Sequence, residues 1–164
     1  MPKIGILALQ GDFVEHAAVL QRLGVDVQEV RLPEQLDEVD GLIIPGGEST
    51  TMVRLMDLFA LREPLVRYGQ EGMPIWGTCA GMILIARLLS DERPATLGLM
   101  DIQVSRNAFG RQVDSFEANL DIPVLGKQAF HAVFIRAPIV DQVGKEVEVL
   151  ARLDDVAVVA TRQR

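Results

Sequence analysis

Short apolar runs and amphipathic stretches of helical period alternate through the first half of the chain. Lys3 to Leu9 is a nearly continuous apolar run, interrupted by Gly5 and closed by Gln10-Gly11, and it predicts a strand buried on both faces. From Phe13 the period lengthens. Phe13, Ala17, Leu20 and Leu23 recur at helical spacing, and Gly24 stands where a helix stop is expected. Val25 to Leu32 then alternates as a second strand ended by Pro33. A strand, a helix and a strand of these lengths form a right-handed βαβ unit with parallel strands.

The pattern repeats after Pro33. Val39 to Ile44 predicts a third strand closing in Pro45-Gly46-Gly47, and Ser49 to Tyr68 reads as helical with a break or second start at Pro64. Met73 to Trp76 predicts a fourth strand. It runs into Gly77-Thr78-Cys79-Ala80-Gly81 and then into Met82 to Leu89, a helix apolar on nearly every side and therefore buried. After Ser90 the character shifts to strand-like runs without helices: Leu99 to Val104, Phe116 to Leu120, Ala132 to Ile135, Val147 to Leu150 and Val156 to Ala160. The expectation is an α/β fold whose later strands extend or flank a mostly parallel sheet.

Composition narrows the class. The 164 residues hold 49% hydrophobic and 24% charged residues, enough apolar content for a core and near the usual length of one domain. Sixteen Lys and Arg against 23 Asp and Glu leave a net charge of −7, which disfavours nucleic acid as a partner. The single cysteine excludes an intramolecular disulfide or a multi-thiolate metal site and fits a reducing, cytoplasmic setting. No apolar run approaches membrane-spanning length, and the N-terminus lacks a basic leader, so no membrane partner is expected. There is no G-x-G-x-x-G or Walker motif, and two distant histidines make a poor metal site, so no cofactor is expected.

Candidate chemistry concentrates in the turns after strands three and four, because ligands of an open parallel sheet bind outside the strands' carboxyl ends. Gly77-Thr-Cys-Ala-Gly81 has the form of a nucleophile elbow, G-x-S-x-G with sulfur in place of oxygen, set between a strand and a helix. Cys79 would stand in a strained backbone conformation at a helix N-terminus, where free N–H groups and the dipole favour thiolate. The Ala80 N–H would be one oxyanion donor. Pro45-Gly46-Gly47-Glu48-Ser49-Thr50-Thr51 supplies a second backbone-rich turn, with Ser49 or Thr50 as a possible cap of the next helix. His16 reads as a solvated or partner-facing helix residue, and His131 precedes the strand from Ala132.

These residues resemble the triad class of glutamine amidotransferases, most densely the glutaminase subunits of pyridoxal 5′-phosphate synthase. The resemblance rests on Gly5 to Gly11, Glu15-His16, Arg31 to Leu36, Val39 to Met52 and Gly77 to Gly81, with Arg106 to Glu117 and Val133 to Pro138 the more specific segments. It covers Ile4 to Gln163 and implies a three-layer, flavodoxin-like fold with flanking helices and a β-rich second half. It implies hydrolysis of L-glutamine to L-glutamate and ammonia, with the ammonia channelled to a synthase subunit in a large ring-shaped heteromeric complex for vitamin B6 biosynthesis. Cys79 is then the nucleophile, Gly47 and Ala80 are oxyanion donors, and Gly46, Gly47, Glu48, Arg106, Ile135 and Arg136 contact glutamine. Gln10 matches a residue on the partner-facing side.

The family draws its base and the orienting carboxylate from a His-Pro-Glu turn, within a strand, turn and final helix that residues 1–164 do not include. Residues 1–164 are therefore expected to form a single amidotransferase domain without that segment, and to be inactive alone if it is absent. Truncation, a disordered tail and natural loss of the reaction are the three explanations; the intact elbow and pocket pattern favour a missing or disordered tail. A noncatalytic glutamine-binding or regulatory subunit is the alternative function. A subunit feeding purine or histidine synthesis is disfavoured by the Arg106 to Glu117 and Val133 to Pro138 segments.

Overall fold

The computed structural model describes residues 1–106, 108–109 and 115–164, so residues 107 and 110–114 of the Arg106 to Glu117 segment lie outside the described residues. The backbone divides into two compact units, one of residues 1–85 and 93–99, the other of residues 86–92 and 100–164.

The first unit realises the repeating strand and helix pattern. Strand β1 (Lys3–Leu7), helix α1 (Phe13–Arg22) and strand β2 (Asp26–Val30) form the expected βαβ unit, with β1 and β2 parallel from Lys3 opposite Asp26 to Leu7 opposite Val30. A 3₁₀ turn at Pro33–Glu38 leads to β3 (Gly41–Ile44), and β4 (Ile75–Gly77) follows helices α2 (Ser49–Leu58) and α3 (Arg62–Gln70). The break expected at Pro64 is real, because Pro64 lies in the first turn of α3, where its missing N–H has no helical partner to lose. The strands form one parallel sheet in the order β2-β1-β3-β4. Every residue of β3 is buried, as are Ile6 and Leu7 of β1, so both faces of the central strands are covered.

Helix α4 (Ala80–Ile85) is shorter than expected. Ala86 to Leu89, read from the sequence as the end of that helix, is instead strand β5 (Ala86–Leu89). A helix running on would need the Leu84 and Ile85 carbonyls for Leu88 and Leu89, but the N–H groups of Leu97 and Leu99 take them, at 2.7 and 3.0 Å. Ala86 to Leu89 then pairs in parallel with β6 (Met100–Ser105), and Arg87 Nη1 reaches Asp101 Oδ1 across the pair at 2.7 Å. Tertiary pairing overrides the short apolar helix pattern.

Among its described residues the second unit is built from strands and one 3₁₀ turn. β7 (Ser115–Leu120) and β8 (Phe130–Ile135) form an antiparallel hairpin, while β9 (Ile139–Val143), β10 (Val147–Leu153) and β11 (Ala157–Gln163) join β5 and β6 in a sheet ordered β10-β11-β9-β6-β5. The later strands thus do not extend the parallel sheet; they pair among themselves, with β6 to β9, β9 to β11 and β11 to β10 all antiparallel. Their core gathers Leu120, Ile122, Ala132, Phe134, Ala151 and Leu153, with the Phe116 ring stacked on Phe134 at 4.9 Å. Among the described residues no helix is long and apolar enough to cross a membrane.

Candidate active site

Three strand-to-helix turns of the first unit meet at the carboxyl edge of β1, β3 and β4. The elbow follows β4. Its Thr78 N–H donates to the Ile44 carbonyl at 3.1 Å, the Gly81 N–H returns to Thr78 O at 2.8 Å, and Cys79 between them has φ of 51°. That left-handed value is strained for a residue with a side chain and is the conformation the G-x-C-x-G spacing predicts. Both glycines are required by contact. A Cβ on Gly81 would lie 2.0 Å from the Ile44 carbonyl oxygen, and one on Gly77 would lie 2.4 Å from the Gly81 carbonyl carbon. The chain therefore turns with helix backbone packed directly on strand backbone.

The turn after β3 lies against the elbow. A Cβ on Gly46 would sit 3.5 Å from Cys79 Cβ and 3.0 Å from Asp12 Oδ2, so the thiol residue and a carboxylate of the turn after β1 meet over the same face of this glycine. That third turn is tied to the second by two hydrogen bonds: Asp12 N–H to Gly46 O at 3.0 Å, and Glu48 N–H to Gln10 Oε1 at 2.8 Å. Gln10, expected on the partner-facing side, thus also fixes the Gly47-Glu48 backbone from within.

Glu48, rather than Ser49 or Thr50, caps α2. Its carboxylate accepts from the N–H groups of Thr50 at 3.1 Å and Thr51 at 2.7 Å, and from Thr51 Oγ1 at 2.7 Å. These bonds, the Thr51 hydroxyl first, lower its pKa from the ordinary glutamate value. With a folded-state pKa below the unfolded one, the stabilisation is complete above the ordinary glutamate range and is lost as pH falls through the lowered value. Replacing Glu48 by Gln should cost about 1 kcal/mol near neutral pH. Thermal melts of the two proteins across the acid range should show that gap closing as pH drops.

Two features oppose the thiolate expected at Cys79. The helix behind the elbow has only six residues, too short for a large dipole, and although Cys79 is solvent-exposed, protein packed around its sulfur desolvates the anion. Burial pushes the Cys79 thiol above its ordinary value, the Ala80 N–H acts in the opposite sense, and the Asp12 charge adds to the rise. His16, read from the sequence as solvated or partner-facing, stands beside the elbow. Its Nε2 lies 3.2 Å from Thr78 Oγ1 and its ring meets Trp76 edge-on at 5.9 Å. Burial lowers the His16 pKa despite the opposing charges of Asp12 and Glu15, so the ring is neutral near pH 7.

Cys79, Ala80, Gly46, Gly47, Glu48 and Gln10 thus come together in the first unit. Arg106, Ile135 and Arg136 belong to the second. Arg106 directs Nε (2.8 Å) and Nη2 (2.5 Å) at Asp91 Oδ2, Ile135 is exposed at the end of β8, and Arg136 follows it with φ of 45°. His131 lies within β8 and not before a strand; its Nε2 is 3.0 Å from Glu117 Oε2 and its Nδ1 3.3 Å from Asn119 Oδ1 across the hairpin. Among the described residues no three His, Cys, Asp or Glu side chains converge as metal ligands. Asp12 was missed by sequence reasoning. The only signal for it was Gln10-Gly11, a third turn at a strand's carboxyl end.

Residues 6–164 match the model of the SNO glutamine amidotransferase family. A protein of Herpetosiphon aurantiacus named pyridoxal 5′-phosphate synthase subunit PdxT is 62% identical over 98% of this chain and 86% of its own length. The protein of the same name from Pelotomaculum thermopropionicum is 57% identical over 99% of this chain and 83% of its own. A crystal structure described as a glutamine amidotransferase superposes with a TM-score of 0.91 at 46% identity, covering 98% of this chain and 84% of that one. With its elbow, double-glycine turn and parallel sheet in place, this chain belongs to the SNO glutamine amidotransferase family.

Proposed function

We propose that this chain is the glutaminase subunit of a pyridoxal 5′-phosphate synthase: it hydrolyses L-glutamine to L-glutamate and ammonia and passes the ammonia to a synthase subunit. The carrying observation is the strained Cys79 at φ 51°, held against the Gly46-Gly47 turn in a chain 62% identical to a protein named as a pyridoxal 5′-phosphate synthase subunit. The thiol suits a cytoplasmic, reducing setting, and the assembly is read as a large ring-shaped heteromeric complex.

In this reading residues 1–164 serve as one amidotransferase domain. Cys79 Sγ attacks the side-chain amide carbon of glutamine. The carbonyl electron pair moves to oxygen, where the Gly47 and Ala80 N–H groups receive it, and its return expels ammonia and leaves a thioester that water hydrolyses to glutamate. Gly46, Gly47 and Glu48 line the substrate from the turn after β3, and the resemblance gives Arg106, Ile135 and Arg136 as the contacts to its amino-acid end. Because the thiol form is favoured, a base must take the sulfur proton and return it to the leaving nitrogen. His16 faces Thr78 and His131 faces Glu117 and Asn119, so neither is assigned that step, which the resemblance gives to a His-Pro-Glu turn.

The test is ammonia release from glutamine by the full-length protein, measured with and without a pyridoxal 5′-phosphate synthase subunit. Glutamate and ammonia should form in equal amounts, faster with the subunit present. Glutamine binding without ammonia release under both conditions would replace this reading with that of a regulatory glutamine-binding subunit.

A further inference from the structure

Asp12 is the N-cap residue of α1, a position where an aspartate ordinarily spends its carboxylate on the helix's free N–H groups. Here no side-chain cap bond forms. The carboxylate is turned instead toward the face of Gly46 where a side chain would stand, the same face on which Cys79 Cβ lies, and the Asp12 N–H donates to Gly46 O. We infer that Asp12 is a positioning residue that restrains the reactivity of Cys79, its negative charge opposing formation of the thiolate in the protein before glutamine and a partner engage the site. This inference concerns the nucleophile of the reaction proposed above and rests on that reading for its purpose, though not for its chemistry.

Among the described residues no ion pair involves Asp12. On α1 His16 stands beside the elbow, but burial keeps it neutral near pH 7 and it is engaged with Thr78 Oγ1. Glu15, on the same helix, is also acidic. In the turn after β3 the charged side chain is Glu48, whose carboxylate is bound to Thr50 and Thr51. Helix α4 carries no ionisable side chain, and β4 contributes only Ile75, Trp76 and Gly77. A fixed anion beside an ionising thiol acts in one direction, against the second negative charge.

The advantage is chemical. A thiol held protonated is slow to oxidise or alkylate while the site is empty, and it becomes a nucleophile when a base removes its proton at the moment of attack. A cationic group brought near Asp12, such as the ammonium of an amino acid or a basic side chain of a partner, would neutralise the restraint.

Alkylation of the full-length protein by iodoacetamide, followed across pH by intact mass, tests this directly, since it reads thiol ionisation without requiring glutamine turnover. Asp12→Asn should displace the alkylation profile to lower pH. Near neutral pH the rate should rise roughly threefold for each tenfold gain in thiolate, because nucleophilicity falls as the thiol becomes more acidic. Raising the salt concentration should speed the unsubstituted protein toward the Asp12→Asn rate while barely changing the variant, and Asp12→Glu should keep the slow profile. An unmoved profile with Asp12→Asn overturns the inference, as does acceleration uniform in pH and indifferent to salt, which would mark loosened structure. Failure of glutamine hydrolysis alongside a shifted profile would instead count against the glutaminase reading alone.

Discussion

Replacing Cys79 by Ala should abolish ammonia release from glutamine, a loss of roughly a thousandfold or more in the assay with the synthase subunit, while the fold persists. Alanine and cysteine meet the same backbone demand at φ 51°, so the substitution removes the sulfur without altering the turn's strain. Glutamine should still bind, because the double-glycine turn and the Glu48 cap do not depend on the thiol. Turnover retained by Cys79→Ala would eliminate Cys79 as nucleophile. The same position offers a second readout of opposite sign. Cys79→Gly relieves the left-handed strain and, after the greater unfolded-state freedom of glycine, should stabilise the protein by about 0.5 to 1 kcal/mol, visible as a raised melting temperature. A residue that is costly where it stands and becomes more stable when made inert is one retained for its chemistry.

The strand and helix alternation of the first unit was legible because its periods differ so plainly. The buried run at Val39 to Ile44 and the punctuation at Pro45-Gly46-Gly47 admit no helix, and Gly77 to Gly81 announces its own turn. Legibility failed where a short apolar run carries no period. Ala86 to Leu89 fits helix or strand equally, and the hydrogen bonds from Leu97 and Leu99 that decide it come from residues distant in sequence. Strand β9, Ile139–Val143, was missed for a related reason: Asp141 and Gln142 break the apolar pattern, although Asp141 accepts from the hydroxyls of Ser105 on the adjacent β6 and of Ser90, just past the end of β5.

The site was legible by halves. Two turns could be assigned to one sheet edge by the rule for parallel sheets, but the order β2-β1-β3-β4 places the turn after β1 directly beside the turn after β3, and local pattern does not reveal strand order. That adjacency brings Asp12 and His16 to the elbow. It also bears on Cys79: a helix dipole argument from sequence alone omits a carboxylate contributed by another strand's turn and the desolvation of the sulfur, both of which oppose ionisation.

Substituting Gly81 by Ala should be among the most damaging single-methyl additions in the chain, destabilising it by more than about 3 kcal/mol and lowering or abolishing the cooperative melt. The added carbon would lie 2.0 Å from the Ile44 oxygen, 2.8 Å from its carbonyl carbon and 3.2 Å from its Cβ. Ile44 is fully buried and ends a strand paired on both sides, so β3 cannot retreat without opening the sheet. The alternative is for α4 to lift away, and that moves Cys79 and Ala80 from the Gly46 turn. Gly24→Ala provides the contrast. Nothing lies within 4 Å of its added Cβ, and only the left-handed φ of 74° opposes it, so its cost should be about 1 kcal/mol. Denaturant melts of the two variants separate the causes. A loss at Gly81→Ala no larger than the strain cost at Gly24→Ala would overturn the close-packing argument; an unequal pair, with Gly81→Ala far the worse, assigns the requirement to close packing beneath the nucleophile.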